Sequence, residues 1–276
     1  MPYARTVTDS SPRRGSPSLD PLSLDQQLAL TGERTVPGIP AENYWFRRHE
    51  IAYEFIVART ADRQVLEAGS GEGYGAAMLA TAAASVVCVD YDEQAVEHTR
   101  RRYPEVTIHQ GNLIDLPLTN ASVDTVVNFQ VIEHLWDQPG FVTECHRVLR
   151  GGGELLMSTP NRVTFSPGLD TPLNPFHTRE LNAAELIDLL TAGGFALTTM
   201  FGVFHGPRLR ELDAKWGGSL IDAQIQRALA GEEWPAELIG DIAGITAADF
   251  EIVEAADRDI DTSLDLLAVA ARRDVA

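Results

Sequence analysis

Lysine is almost missing from this sequence: Lys215 is its one ammonium side chain, against 21 arginines and 40 acids. With a formal net charge of −18, the chain lacks the general basic face that nucleic-acid binding uses, so no nucleic-acid partner is expected. Cysteine is nearly as scarce. Cys88 and Cys145 fall in a predicted strand and a predicted helix, which implies two buried free thiols and no disulfide framework. No apolar run approaches the roughly 20 residues of a membrane-spanning helix, so no membrane partner is expected. The first residues, MPYARTVTDSSPRRGSPSLDP, hold arginines but no apolar signal-peptide core. They read as a disordered tail over residues 1–24, and the expected location is cytoplasmic.

What remains is enough for one large domain, expected over residues 25–276, with room for an insertion. Apolar residues at roughly helical spacing predict a helix over 42–59. Strand and helix signals then alternate. QVLEAG is a short apolar strand and GYGAAMLATAA a helix; SVVCVDYD is a strand ending in acid, and Asp92 caps the helix EQAVEHTRRRYP. VTIHQGN, VDTVVNFQ and GGGELLMSTPN supply further strands, with the helix DQPGFVTECHRVLR before the last. This alternation predicts an α/β fold, a mostly parallel sheet with helices on both faces. Asn182 and Glu185 have the spacing of a capping box. FALTTMFGVFHG and SLDLLAVAARR are the final strands, the last expected to be antiparallel. Residues 207–261 between them, with 13 acids against 5 bases, are expected to form a helical insertion, a lid or an interface. The oligomeric state, monomer or homodimer, stays open.

The stretch VLEAGSGEGYGAAMLA is the informative one. It follows a strand and opens a helix, where open parallel sheets bind ligands. Gly71, Gly73 and Ala76 fit the relaxed dinucleotide pattern G-x-G-x-x-A, with Asp90 about 20 residues on. A nicotinamide-dependent dehydrogenase is therefore one reading. Two acids, Glu67 and Glu72, flank the turn and would repel a pyrophosphate. They would favour a cofactor carrying cationic ammonium and sulfonium groups.

LEAGSGEG, VVCVDYD, GNLIDLP, SVDTVVNFQVIEHL and LRGGGELLMSTPN, in that order, resemble the motifs of class I S-adenosylmethionine-dependent methyltransferases. The resemblance implies their Rossmann-like sheet and S-adenosyl-L-methionine as cofactor. It implies that Gly69, Gly71 and Gly73 approach the methionine part, with Glu67 near its amino end. Asp90 would hold both ribose hydroxyls, with Tyr91 beside the adenine and Asn112 and Leu113 flanking it. Asn128 and Gln130 would line the floor near the sulfur, and His49, from the upstream aromatic and basic helix, would cover the cofactor.

The acceptor side is sought in FQVIEHLWD and the long loop RVTFSPGLDTPLNPFHTRE. Related O-methyltransferases use a histidine at the position of His134 as base, and some place an E-x-x-E-H cluster on Mg²⁺. Here Gln130 replaces the first glutamate, leaving Glu133, His134 and Gln130 as the implied metal ligands. Glu133, His134 and His177 are the candidate catalytic groups, with adjacent Glu133 expected either to raise the basicity of His134 or to share a metal with it. Across most of the chain, segments such as LTGERTVPG, ENYWFRRHE and RDIDTSLDLLAVA resemble methylmannose polysaccharide 1-O-methyltransferases. That implies a short 3-O-methylated mannoside as oligosaccharide partner, methylated at its anomeric hydroxyl with magnesium assistance. The residues alone reach only a small-molecule O-methyltransferase, with a phenol or quinone acceptor as the alternative. A non-catalytic binder would be expected to lose Glu133, His134 and His177, which are all present.

Overall fold

The computed structural model describes residues 34–274, so the predicted tail and the first residues of the predicted domain lie outside the described residues. The predicted first helix is α1 (Asn43–Ile56), prolonged by a 3₁₀ turn at Val57–Thr60. Then β1 (Gln64–Ala68), α2 (Tyr74–Leu79), β2 (Ser85–Asp90), α3 (Glu93–Arg102) and β3 (Thr107–Gln110) follow in the expected alternation. Asp92 caps α3 as predicted, its Oδ1 accepting from Gln94 N at 2.9 Å. After β4 (Val123–Phe129) come α4 (Gln138–Val148) and β5 (Leu149–Pro160).

The sheet has eight strands in the order β3-β2-β1-β4-β5-β8-β6-β7 once its last members are added. These are β6 (Phe195–His205), β7 (Phe250–Glu254) and β8 (Asp265–Arg272). The first five strands are parallel neighbours. β8 runs antiparallel between β5 and β6, as expected of the last strand. The chain winds outward from β1 to β3, then returns to β4 on the other side of β1. That reversal opens a crevice beyond the carboxyl ends of β1 and β4, the usual ligand position in such sheets.

Side-chain parity decides which layer each strand residue enters. Leu66 and Ala68 pack against α4 and against α6 (Ala183–Ala192), while Val65 packs under α1 and α2. The capping box at α6 is present, with Glu185 N donating to Asn182 Oδ1 and Asn182 N to Glu185 Oε2, both at 2.9 Å. The long loop before it contains one short helix, α5 (Arg162–Phe165).

The insertion at 207–261 departs from expectation. It contains α7 (Pro207–Lys215), α8 (Leu220–Ala230) and α9 (Ala236–Ala243), but ends in β7, which pairs antiparallel with β6 at the sheet edge. In FEIVE, Phe250 and Ile252 pack into a satellite core with Tyr44, Val203 and Leu238, while Glu251 is half-buried and Glu254 exposed. An edge strand with charged outer positions resists pairing with another chain. Its five residues are too short, and too rich in acid, to stand out from the acidic helices before it. Among the described residues no helix is long and apolar enough to cross a membrane.

Candidate functional site

β1 breaks into a turn whose Gly69, Gly71 and Gly73 have φ of 83°, 49° and 85°. At Gly69 a Cβ would stand 2.6 Å from Val131 Cγ2, so glycine is required there on two counts. Asp90, at the end of β2, ties the turn down: its Oδ2 accepts from Gly71 N at 2.8 Å and its Oδ1 from Asp92 N at 3.0 Å. Each carboxylate oxygen keeps a second lone pair for a ligand. The turn opens on a cavity of about 790 Å³.

Most of the predicted cofactor residues meet at this cavity. Gly69, Gly71, Asp90 and Tyr91 line it on the β1 and β2 side, Asn112 and Leu113 beyond β3, and Gln130 and His49 opposite. Gln130 has φ +56°, rare for a residue with a side chain, and its Nε2 donates to Ser158 Oγ at 3.2 Å. His49 is half-buried, its Nδ1 3.1 Å from the Tyr74 hydroxyl; desolvation pushes it down to about 4, so it is neutral at pH 7.

Three predicted residues are placed elsewhere. Asn128 is fully buried under the floor, its Nδ2 donating to Ala68 O at 2.8 Å, which ties β4 to β1. Gly73 faces Thr99 of α3 and Tyr103 just beyond it, and is the N-cap of α2. Glu67 shares the parity of Val65 and points away from the crevice, into the layer under α1 and α2. Its carboxylate lies so close that a Cβ on Gly75 would stand 2.4 Å from Glu67 Oε1 and 2.3 Å from Tyr53 Cζ. Burial pushes the Glu67 carboxyl up to about 8, so it is mostly protonated at pH 7. The expectation of two carboxylates repelling a pyrophosphate is therefore corrected. Glu72 alone lines the cavity, with Oε1 3.0 Å from His98 Nε2 of α3.

Residues that sequence reasoning missed come from the segment before α1. Arg34 and Thr35 line the cavity; Arg34 Nη2 reaches Asp92 Oδ2 at 2.6 Å, and Thr35 Oγ1 lies 3.2 Å from Tyr74 Oη. The signal available was ERTVPG itself, which the resemblance covered without assigning a role to its side chains. Trp136, 91 % exposed, also lines the mouth.

A second lobe of about 340 Å³ adjoins the first, and His49, Gln130, His134 and His177 line both. Its walls are α1 (Trp45, Arg48), the long loop (Phe165, Phe176) and α8 (Ile225, Leu229). At the junction one ligand atom each of Glu133, His134 and His177 lies within 4.8 Å of the others. Glu133 is buried and accepts from Thr159 Oγ1 at 3.0 Å; burial raises its carboxyl to about 7. His134 Nδ1 lies 3.1 Å from the carbonyl of Phe176, which fixes the Nδ1–H tautomer and leaves Nε2 as the acceptor. His177 Nδ1 is 2.7 Å from Glu180 Oε1, and Asn174 Nδ2 is 3.0 Å from its Nε2.

The expectation that Glu133 raises the basicity of His134 fails. Glu133 spends its hydrogen bond on Thr159, and His134 is pushed down to about 4, by burial first and by His177 second. His177, outside the expected metal set, converges with Glu133 and His134. One carboxylate and two imidazoles fit a divalent cation. Of the expected set only Glu133 and the amide oxygen of Gln130 offer the oxygen ligands that Mg²⁺ prefers, with waters completing its shell.

A family model described as a methyltransferase domain matches residues 66–157. A Mycobacterium tuberculosis protein named "Probable S-adenosylmethionine-dependent methyltransferase" is 64 % identical over 246 residues, 89 % of this chain and 90 % of that one. A Mycolicibacterium smegmatis protein likewise named is 61 % identical over 250 residues, 91 % and 97 % of the two chains. Among solved structures, a SAM-dependent methyltransferase from Thermotoga maritima shares the fold at TM-score 0.56 and 18 % identity, covering 83 % of this chain and 93 % of that one. With its motifs gathered on one cavity at the switch point and relatives aligned across nearly its whole length, the chain belongs to the S-adenosylmethionine-dependent methyltransferases.

Proposed function

We propose that the protein is a sugar O-methyltransferase, acting on the anomeric 1-OH of a short 3-O-methylated mannoside in methylmannose polysaccharide synthesis. The observation that carries the O-methyl reading is the junction of the two lobes, where His134 presents Nε2 between the cofactor side and a separate recess. Trp45, Phe165 and Phe176 give that recess apolar faces, and Asn174 and Arg48 give it hydrogen-bonding groups. Such a mixture suits a pyranose ring. The mannoside itself rests on the resemblance of LTGERTVPG, ENYWFRRHE and the later segments. The same aromatic faces would hold a phenol or quinone ring, which is the second reading.

Methyl transfer is an in-line displacement at carbon, so the acceptor oxygen must come within about 3–3.5 Å of the methyl group. The sulfonium loses its charge as the new bond forms, and the leaving side needs no anion stabiliser. The sugar hydroxyl is protonated at neutral pH, so its proton is the obstacle. His134, held neutral and oriented by the Phe176 carbonyl, receives it at Nε2. Burial leaves His134 a weaker base than a free imidazole, so an anomeric hydroxyl, more acidic than its neighbours, is the sugar hydroxyl that asks least of it. Mg²⁺, with Glu133 and Gln130 as oxygen ligands beside His134, would supply further acidification of the hydroxyl when bound.

Acceptor screening tests this: oligomannosides with and without 3-O-methyl groups, beside a catechol. Transfer to the 3-O-methylated mannoside is expected, slowed by chelation and restored by Mg²⁺. A preference for the catechol would sink the sugar reading. Indifference to chelation would remove the metal.

A further inference from the structure

His205 lies outside the cofactor lobe, and no step above uses it. At the end of β6 its Nδ1 is 2.6 Å from Asp213 Oδ2 of α7, and its Nε2 is 2.7 Å from the hydroxyl of Tyr44 in α1. Asp213 Oδ1 accepts from Leu220 N, the first residue of α8, at 2.8 Å. The polarity of the chain follows from its ends. A carboxylate only accepts, so Nδ1 donates and Nε2 accepts from Tyr44 Oη. The Tyr44 hydroxyl is fully buried, and burial holds it protonated.

This chain joins the two walls of the second lobe. Trp45 and Arg48 of α1 form one wall; Ile225, Ala228 and Leu229 of α8 form the other. The α1 wall is locked to the sheet, because Arg48 Nε and Nη2 reach Asp265 Oδ2 and Oδ1 of β8 at 2.6 and 2.5 Å, both side chains buried. The α8 wall is not. Its buried residues are Leu220, Ala223 and Gln224, all at its start, while Leu229 is 74 % exposed. The link from α7 contains Gly217 and Gly218, at φ 86° and 103°, with open space where a Cβ would stand. The glycines leave that link without side-chain packing of its own, and it is tied back to the same acid, Gly218 N donating to Asp213 O at 2.7 Å. Leu229 lies about 13 Å along the helix from Leu220 at 1.5 Å per residue, so a tilt of about 10° at the base shifts it by roughly 2 Å.

The geometry points to His205 as a positioning residue for the acceptor: through Asp213 it holds the base of α8 against α1, and so sets the width of the second lobe. This rests on that lobe being the acceptor site, as proposed above. The test compares His205→Ala, His205→Gln and Asp213→Asn with wild type in the full chain. Hydrogen exchange over residues 220–230, the KM for the 3-O-methylated mannoside and the calorimetric Kd for S-adenosylmethionine are the readouts. For His205→Ala, exchange in α8 is expected to rise about tenfold and the acceptor KM by a similar factor, as loss of a charge-assisted hydrogen bond predicts. Cofactor affinity and protection of β1 and β2 should stay at wild-type values. Glutamine, which both donates and accepts, should restore most of the loss. Unchanged α8 exchange, or acceptor and cofactor affinity falling together, would overturn the assignment. If His205→Ala fails to fold, Asp213→Asn decides by the same readouts. Should the wild type not methylate the mannoside, the acceptor reading fails, and α8 exchange still decides the role of His205.

Discussion

The two lobes of this molecule are built by different means. The cofactor lobe is made from strand ends: Gly69 and Gly71 follow β1, Asp90 closes β2, Asn112 follows β3, and Gln130 follows β4. The sheet's own hydrogen bonds hold these positions, and backbone N–H groups do much of the orienting. The second lobe, proposed above for the acceptor, is assembled from α1, the loop after β5 and α8, segments as distant as Trp45 and Leu229. Side-chain bonds hold it instead: Arg48 to Asp265, His177 to Glu180, His205 to Tyr44 and Asp213. A lobe that inherits its geometry from a sheet survives wide sequence change, and a lobe tied by side chains is where members of one fold diverge in substrate.

That contrast can be broken most decisively at the junction. His134→Ala should lose about 10²–10⁴-fold in turnover, the usual contribution of a general base, while binding cofactor as the wild type does. Steady-state methyl transfer beside calorimetry checks it. Near-full activity would place the base elsewhere, with His177, already oriented by Glu180, next in line. A fall in cofactor binding equal to the loss of turnover would erase the distinction between the lobes.

A smaller effect is expected inside the cofactor lobe. Asp90→Ala removes a carboxylate that orders the turn through Gly71 N and that the motif resemblance assigns to the ribose. Binding of S-adenosylmethionine should weaken by about 1.5–3 kcal/mol for each charge-assisted bond lost, roughly tenfold or more. Unchanged affinity by calorimetry would remove Asp90 from the cofactor contacts.

The third effect is on stability rather than activity and concerns Glu67. Its carboxyl is raised from the ordinary 4.5 to about 8 by burial, so between those values the folded state holds a proton that the unfolded state releases. Stability from this group is complete below about pH 4.5 and is lost as pH rises through about 8. Glu67→Gln keeps the shape and removes the titration. Thermal unfolding from pH 6 to 8.5 should therefore fall less steeply with pH for the variant than for the wild type, with cofactor affinity unaltered. Equal slopes would show that Glu67 is ionised throughout. Loss of cofactor affinity in the variant would return Glu67 to the site from which its placement excludes it.

Much of the cofactor lobe was legible beforehand because local signals and position in the winding coincide. A glycine turn after a strand has one place to be in a parallel sheet, and Asp92 and Asn182 cap their helices through neighbours two or three residues away. Glu67 and Asn128 were misplaced because a motif records order along the chain and not the face of the strand. Both sit on strands of the crevice, yet one points under α1 and α2 and the other bonds Ala68 O beneath the floor. β7 was hidden for a related reason: five residues pair only because β6 offers an edge, and nothing local announces that edge.

The sequence by itself determined the alternating fold and the switch-point turn, and its motif resemblance carried the class of cofactor. Backbone hydrogen bonding, strand parity and the conformational freedom of glycine act over short stretches of chain. Only the tertiary structure decided that Glu67 is a buried neutral acid and that His177 joins Glu133 and His134. It alone brought His205 between Tyr44 and Asp213. Those outcomes depend on desolvation and on side chains meeting across up to 161 residues of chain. Both are set by packing, which no local pattern encodes.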